Sequence, residues 1–246
     1  MRAAFPPGAE RRIGETSVLV CPTGTREYWI VRTGMGLENA KQAAARVLAH
    51  EPFCLAVSTG FACALIAVDV GALLAGYDVV HARGLGAEVS SAVAVPGDER
   101  EAVMGLVQEE APSGHIGCFV STDRVITSAA EKQRFAKVAD AIGLDMESAA
   151  LAVEAQRAQV PFVIVRTASD LLDEDLPLDF NLFLRPTGWL KGVAAIVGRP
   201  SSITGLRRLQ RQSREAAKNL TAFFQRYAAE MAARDARGQS PADRGS

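Results

Sequence analysis

The sequence predicts a single-domain α/β fold in three layers, with a central mixed, largely parallel sheet flanked by helices and a long C-terminal helix. Two observations predict it. Short apolar runs alternate along the chain with alanine-rich amphipathic segments, which gives repeated strand–turn–helix units. Several of these runs are apolar throughout, as strands covered on both faces are. The chain has 246 residues, 48% of them hydrophobic, enough for one large core. We therefore assign residues 1–237 to one domain and expect 238–246 to be a disordered tail.

Composition excludes several classes of protein. The formal net charge of −1 does not suggest a nucleic-acid binder. The four cysteines and three histidines lack the spacing of a zinc site or a disulfide framework, so we expect reduced thiols, no metal and no cofactor. The apolar region 53–80 is broken by Asp69 and by glycines, which favours a core strand followed by a helix over a membrane span. No secretory leader is visible, so a cytoplasmic location is expected.

The amino-terminal part of the chain predicts one strand–turn–helix unit. Its first fifteen residues are too short and too rich in proline for a complete buried strand, and at most residues 3–5 form the end of one. Gly34 and Gly36 precede the first helix. Their backbone N–H groups could hold an oxyanion or a hydroxyl, or the two glycines could serve only a tight turn. Further along, strands are predicted at 18–21, 27–32, 53–58, 77–81 and 115–121, and helices at 37–49, 99–110 and 131–141.

A long amphipathic helix is predicted at about 203–236. One face is basic, and it is either a solvated helix surface or a surface that docks on an anionic membrane. The apolar stripe consists of Ile203, Leu206, Leu209, Leu220, Phe223, Phe224 and Tyr227, and the basic face of Arg207, Arg208, Arg211, Arg214 and Lys218.

Residues 142–170 contain the candidate site. Asp145 and Glu147 open a predicted helix that runs to about residue 159, and a strand at 161–167 ends on Ser169 and Asp170. Because the connections of a parallel α/β sheet gather at the carboxyl ends of its strands, the two acidic positions could meet in one crevice. The alternative is that Glu147 favours the helix terminus electrostatically and Asp170 caps the following turn.

Several motifs together resemble the purine nucleoside phosphorylase and methylthioadenosine/S-adenosylhomocysteine nucleosidase superfamily. They are TGMG at 33–36 with its helix, STG at 58–60, GYDVV at 76–80, LDMESAALA at 144–152 and PFVIVRTASD at 161–170. The tail RPTGWLKGVAAIVGRPSSITGLRRLQ, which begins at residue 185, is similar to the branch called hopanoid-associated phosphorylase, proposed to remove adenine from adenosylhopane. The resemblance implies an enzyme, either an N-ribosyl hydrolase or a nucleoside phosphorylase, and commonly a homo-oligomer, dimer or hexamer.

The resemblance gives each acid a task. Asp170 would donate a proton to N7 of the purine, with its pKa raised by burial, and Ser169 would orient it. Glu147 would accept hydrogen bonds from the ribose hydroxyls, and Met146 would pack on the sugar. The remaining substrate contacts implied are Gly34 in the first glycine turn and Gly60, Phe61, Val125 and Ile126 around the base.

Departures from the family pattern bear on the nucleophile. Phosphorylases present arginine and serine to phosphate where Ser58 and Phe61 stand here, which favours water. In the nucleosidases a glutamate after the first strand positions that water, and Glu10 is the nearest match. The expected partner is an adenine nucleoside, with adenosylhopane favoured. The alternatives are methylthioadenosine/S-adenosylhomocysteine or futalosine-type nucleosidases, phosphorolysis, and a non-catalytic nucleoside-binding relative.

Overall fold

A computed structural model of the chain describes residues 2–83, 90–92, 95, 97–110, 112–137, 140–176 and 200–238. A short 3-10 turn at Arg2–Ala4 comes first. The strands are β1 (Ala9–Ile13), β2 (Thr16–Thr23), β3 (Arg26–Val31), β4 (Ala56–Ala64), β5 (Leu73–Gly76), β6 (Val79–Ala82), β7 (Ser90–Ala92), β8 (Gly114–Ile116), β9 (Cys118–Thr122), β10 (Ala141–Asp145) and β11 (Phe162–Asp170). The helices are α1 (Leu37–Leu48), α2 (Asp98–Glu109), α3 (Ala129–Ala136), α4 (Ser148–Arg157) and α5 (Pro200–Gly238).

The strands form two sheets. The first is an antiparallel meander in the order β1-β2-β3, and the second has eight strands in the order β7-β6-β9-β10-β4-β11-β5-β8. In the larger sheet four neighbouring pairs are parallel and three are antiparallel. The mixed, largely parallel α/β fold with a long C-terminal helix is confirmed.

Strand β4 lies between the two strands that lead to the candidate acids, β10 and β11. It runs parallel to β11 along its whole length, from Ala56 opposite Phe162 to Cys63 opposite Asp170. Its last residues also pair antiparallel with β10, where Cys63 lies opposite Leu144. Gly60 has a φ of 150°, a conformation that side chains rarely adopt. Strand β4 therefore lies between the end of β10 and the end of β11.

Three local predictions were wrong. The region after residue 58 was predicted to become a helix, but β4 continues to Ala64 and is followed by β5. Residues 142–145 were expected only as an approach to a helix, and they belong to β10. The first fifteen residues form β1 at Ala9–Ile13, although only residues 3–5 were predicted to end a strand. Each is a short segment whose state is set by the neighbour with which it pairs.

The C-terminal helix was predicted correctly and extends from Pro200 to Gly238. Leu220, Phe223, Phe224 and Tyr227 are buried in the core against β5, α2 and β11. The basic residues of the opposite face are exposed, namely Arg207, Arg208, Arg211, Arg214 and Lys218.

Some expectations lie outside the described residues. They concern the side chains of Ile203 and Leu206, most of the segment between β11 and α5, and the tail at 239–246. Among the helices that the structure describes, none is long and apolar enough to cross a membrane.

Candidate active site

Glu147 stands at the start of α4 without capping it. Asp145 does the capping: its Oδ1 accepts the backbone N–H groups of Glu147 and Ser148, each at 3.1 Å. The hydroxyl of Ser121 donates to the same oxygen over 2.5 Å. The Glu147 side chain makes no capping hydrogen bond. Its carboxylate is therefore not used as a hydrogen-bonding cap of α4.

The glycine turn before α1 lies against Glu147. The backbone N–H of Gly36 donates to Glu147 Oε1 over 2.9 Å. Gly36 has a φ of 90° and Gly34 a φ of 80°, both in the region that favours glycine. The turn thus does more than reverse the chain, because it fixes one oxygen of the candidate carboxylate.

Arg166 contacts both Asp145 and Glu147, and it was not among the predicted site residues. Only 4% of the residue is exposed. Its Nε lies 2.8 Å from Asp145 Oδ2, and its Nη2 lies 3.5 Å from Glu147 Oε2. Its Nη1 donates to the carbonyl of Phe61 over 2.9 Å. An arginine inside an otherwise apolar strand was the available signal, since a buried guanidinium requires carboxylate partners.

Ser58, which replaces an arginine of the phosphorylase pattern, is turned inward. It is fully buried, and its Oγ lies 2.7 Å from Ser148 Oγ. Arg166 Nη2 donates to the same hydroxyl over 3.0 Å. The hydroxyl of Ser58 is therefore engaged within the protein.

Asp170, at the end of β11, is 8% exposed and has a protein donor on each oxygen. Ser169 Oγ donates to Oδ1 over 3.1 Å. Lys132 Nζ of α3 donates to Oδ2 over 2.8 Å, and the lysine is fully buried. Burial alone was predicted for this carboxyl, and the structure adds the ammonium group of Lys132 in direct contact with it.

Two adjacent residues of β4 tie the Glu147 and Asp170 clusters together. Arg166 donates to the carbonyl of Phe61, and Ser169 Oγ, whose single hydrogen is used on Asp170, lies 3.4 Å from the carbonyl oxygen of Ala62. Phe61 itself is 42% exposed, an unusual state for a large apolar side chain in a strand. The phenyl ring is thus available at the surface between the two clusters.

Cys63 on β4 lies beside Asp170. Burial raises the pKa of its thiol well above the ordinary value, the charge of Asp170 raises it further, and the nearby Lys132 lowers it. The thiol is therefore protonated at neutral pH and acts as a small apolar group.

A large cavity opens beside Glu147. Its volume is about 1160 Å³, somewhat above the usual range for ligand sites of roughly 300 to 1,000 Å³. Gly34, Ser58, Glu147 and Arg166 lie at one side of it, and Asp170 is not among the described residues that line it. Its apolar wall includes Trp29, Val47, Leu48, Phe53, Leu151 and Phe162.

The family model of the phosphorylase superfamily matches residues 4–187, about three quarters of the chain. The chain belongs to the phosphorylase superfamily. A 5'-methylthioadenosine/S-adenosylhomocysteine nucleosidase of Staphylococcus aureus (strain MRSA252) is 29% identical over 171 residues, which cover 65% of this chain and 75% of that protein.

Solved structures of the superfamily share the fold. The 5'-methylthioadenosine/S-adenosylhomocysteine nucleosidase of Neisseria meningitidis, in complex with methylthio-immucillin-A, superposes with a TM-score of 0.66 at 19% identity, covering 92% of this chain and 95% of that chain. A futalosine hydrolase mutant of Helicobacter pylori superposes with a TM-score of 0.59 at 15% identity, covering 68% of this chain and 85% of that one. As a member of the superfamily the protein is an enzyme that cleaves N-ribosyl bonds, as the sequence predicted.

The other predicted site residues of this superfamily member have different surroundings. Met146 and Ile126 are buried, at 9% and 2% exposure. Val125 adjoins Ile126 in the segment between β9 and α3. Glu10 lies on β1, exposed and ion-paired with Arg2, and is not among the described residues lining the cavity beside Glu147. Glu10 was predicted to position the attacking water, and the structure does not place it in the lining of this cavity.

Proposed function

We propose that the protein hydrolyses the N-glycosidic bond of an adenine nucleoside and releases adenine, with water as nucleophile and adenosylhopane as the favoured substrate. The observation that carries the proposal is the pair of carboxylates held on either side of β4. Glu147 is freed from capping by Asp145 and fixed by Gly36. Asp170 is fixed by Ser169 and Lys132 at the end of β11.

Glu147 would bind the ribose. A carboxylate presents two acceptor oxygens, which suits a vicinal diol, and its negative charge favours the oxocarbenium-like sugar of the transition state. Arg166 lies 3.5 Å from one oxygen, a contact long enough to weaken when a hydroxyl approaches. The Gly36 N–H keeps the carboxylate oriented in the absence of a sugar.

Asp170 would protonate N7 of the departing adenine. Adenine leaves poorly as an anion and better as a neutral base, so a proton delivered as the bond breaks lowers the barrier. Lys132 donates to Oδ2 of Asp170, and Ser169 donates to the other oxygen, Oδ1. We place the transferred proton on Oδ1 for that reason.

Water is favoured over phosphate because the candidate anion-binding groups are already occupied. The Ser58 hydroxyl is buried between Ser148 and Arg166. The guanidinium of Arg166 faces Asp145 and Glu147, two carboxylates that would repel a phosphate dianion. A phosphate ion would have to displace these contacts, whereas a water molecule need not.

The cavity beside Glu147 supports a large apolar 5' substituent. It begins at the carboxylate and extends between β3 and α1 along the aromatic rings of Trp29 and Phe53. The apolar side chains of this wall offer dispersion contacts to a hydrocarbon group, while charged residues such as Arg32 and Glu51 also line the cavity. This feature favours adenosylhopane over methylthioadenosine, S-adenosylhomocysteine or futalosine.

A substrate panel tests the proposal. The enzyme is incubated with adenosylhopane, methylthioadenosine, S-adenosylhomocysteine, futalosine and inosine, with and without phosphate, and the free base is measured. We expect adenine from adenosylhopane at the highest kcat/KM and no dependence on phosphate. Preference for a small 5' substituent would move the assignment to the other nucleosidases, and strict dependence on phosphate would move it to phosphorolysis.

The basic face of α5 bears on where in the cell the protein acts. Its cationic side chains are exposed along one side of the helix. Within the part of the chain that the structure describes, Arg208 is the one among them with an ion-pair partner, Glu174 at 3.7 Å. We propose a cytoplasmic homo-oligomer, dimer or hexamer, that contacts an anionic membrane through this face, where a lipid-linked nucleoside would be met.

A further inference from the structure

Lys132 is the largest unexplained feature of the site. It is fully buried, although lysine is rarely buried unless it is paired. Its ammonium group uses its three hydrogens on three acceptors: Asp170 Oδ2 at 2.8 Å, the carbonyl of Leu171 at 3.0 Å and the carbonyl of Glu174 at 2.7 Å. No hydrogen remains for a substrate, so the lysine can act only through the groups that it holds.

We propose that Lys132 is the positioning residue of Asp170, directing the proton of Asp170 through Oδ1 and driving its transfer to the base. This inference rests on the proposed function and deepens it. The ammonium fixes Oδ2 from α3 and also ties the segment after β11 to the same helix, through the carbonyls of Leu171 and Glu174. The carboxyl therefore cannot rotate without breaking a buried, charge-assisted hydrogen bond.

The charge of Lys132 supplies the driving force. When Asp170 holds a proton, the pair carries one positive charge in a buried site. When that proton passes from Oδ1 to N7 of the base, the bond between C1' and N9 breaks, its electron pair stays on the base, and the neutral Lys132–Asp170 ion pair is restored. The sugar is left as an oxocarbenium ion, water adds to it at C1', and the proton that this water releases balances the one that Asp170 gave to the base. Proton transfer thus regains a buried ion pair, which favours the products of the step.

A double-mutant cycle tests the inference. Lys132→Met keeps the length of the side chain and removes the charge, and Lys132→Gln keeps a donor for the carbonyls. Asp170→Asn keeps an acceptor for the ammonium. We expect either lysine variant to lower kcat roughly 10- to 100-fold, the cost of a misplaced acid, with KM unchanged. In the Asp170→Asn background the same lysine variants should have no further effect on kcat.

Control measurements separate the possible outcomes. Lys137→Met changes the same chemistry at an exposed position just after α3 and should leave kcat unchanged. Thermal unfolding of each variant identifies loss of fold, and Lys132→Gln replaces Lys132→Met if that variant does not fold. An equal fall in kcat with and without Asp170 would overturn the role of Lys132, since it would then act independently of Asp170.

The binding of adenine, measured by calorimetry on the same variants, distinguishes this inference from the proposed function. We expect Lys132→Gln to weaken adenine binding in the parent and to leave it unchanged in the Asp170→Asn background. If the parent releases no base but the binding cycle behaves in this way, the proposed function fails and the positioning role stands. If the Lys132→Gln substitution leaves the affinity for adenine unchanged in both backgrounds, or if the parent does not bind adenine, the positioning role is overturned.

Discussion

Asp170 and Glu147 are both fixed carboxylates, but their surroundings give them different tasks. Asp170 has a donor on each oxygen from its own neighbourhood and little exposure. Glu147 borders a cavity and has one long contact, to Arg166, that a ligand could replace. The first suits proton transfer and the second suits binding, so their substitution should affect different kinetic constants.

Asp170→Asn should lower kcat by roughly 10²- to 10⁴-fold, the usual contribution of a positioned general acid. The amide keeps the shape and can still accept from Lys132, so nucleoside binding should change little. The measurement is the steady-state rate of adenine release as a function of the nucleoside concentration, which gives kcat and KM. A variant that turns over like the parent would show that the acid has been placed on the wrong residue.

Glu147→Gln should raise KM as well as lower kcat. The amide loses the charge that stabilises the developing positive sugar and offers one acceptor oxygen where the carboxylate offers two. The matched control is Glu154→Gln, which makes the same change at a carboxylate near the end of α4 that is ion-paired with Arg157. Equal KM values for the parent and Glu147→Gln would exclude a contact with the ribose.

At the scale of elements, β3, α2 and α5 are joined by one arginine. Arg26 donates to Asp235 through Nε at 2.8 Å and Nη2 at 2.7 Å, and to Glu99 through Nη1 at 2.6 Å. These contacts attach the meander to the long helix near the far side of the cavity. The attachment is electrostatic and should therefore respond to pH.

The stability of this attachment should fall in acid. The hydrogen bond from Arg26, with a second from Thr25, lowers the pKa of Asp235 from 3.8 to about 2. A lowered folded-state pKa contributes stability above the ordinary value, and that contribution is lost as the pH falls from about 4 to about 2. Asp235→Asn should flatten the dependence of the unfolding free energy on pH in this window. Asp69→Asn, at an exposed position, should retain the slope of the parent; equal slopes for all three proteins would contradict the attachment.

Long periodic elements could be predicted from the sequence, and context-dependent ones could not. The α5 helix, α1 and α2 follow from apolar spacing that extends over several turns. In contrast, β10 and the second half of β4 become strands because they pair with each other, and nothing in a five-residue window encodes the partner.

The same distinction applies to the site. Glu147, Ser169 and Asp170 were found because a motif carries them. Arg166 stands in the same motif, but its importance, like that of Lys132, comes from burial beside carboxylates on other elements and was missed for that reason. Glu10 was chosen by position along the chain alone, and its strand pairs in the other sheet.

For the whole molecule, the basic face of α5 predicts binding to anionic vesicles. Replacing Arg207, Arg211 and Arg214 by glutamine removes three cationic groups, each worth about 1 kcal/mol near an anionic surface. We expect roughly 100-fold weaker binding to vesicles with phosphatidylserine, measured by co-sedimentation. Lys41→Gln on α1 should bind like the parent. Equal binding of the parent to neutral and anionic vesicles, or equal binding of the parent and the triple variant, would show that the basic face of α5 does not bind an anionic membrane.

The central claim is that this enzyme cleaves an adenine nucleoside by water, with Asp170 as acid. The measurement that tests it most directly is the release of adenine and of free sugar from adenosylhopane in phosphate-free buffer, by the parent and by Asp170→Asn. We predict equal amounts of adenine and free sugar from the parent, and a rate of adenine release that is lower by roughly 10²-fold or more in the variant. No adenine from the parent without phosphate, or equal rates for the two proteins, would contradict it.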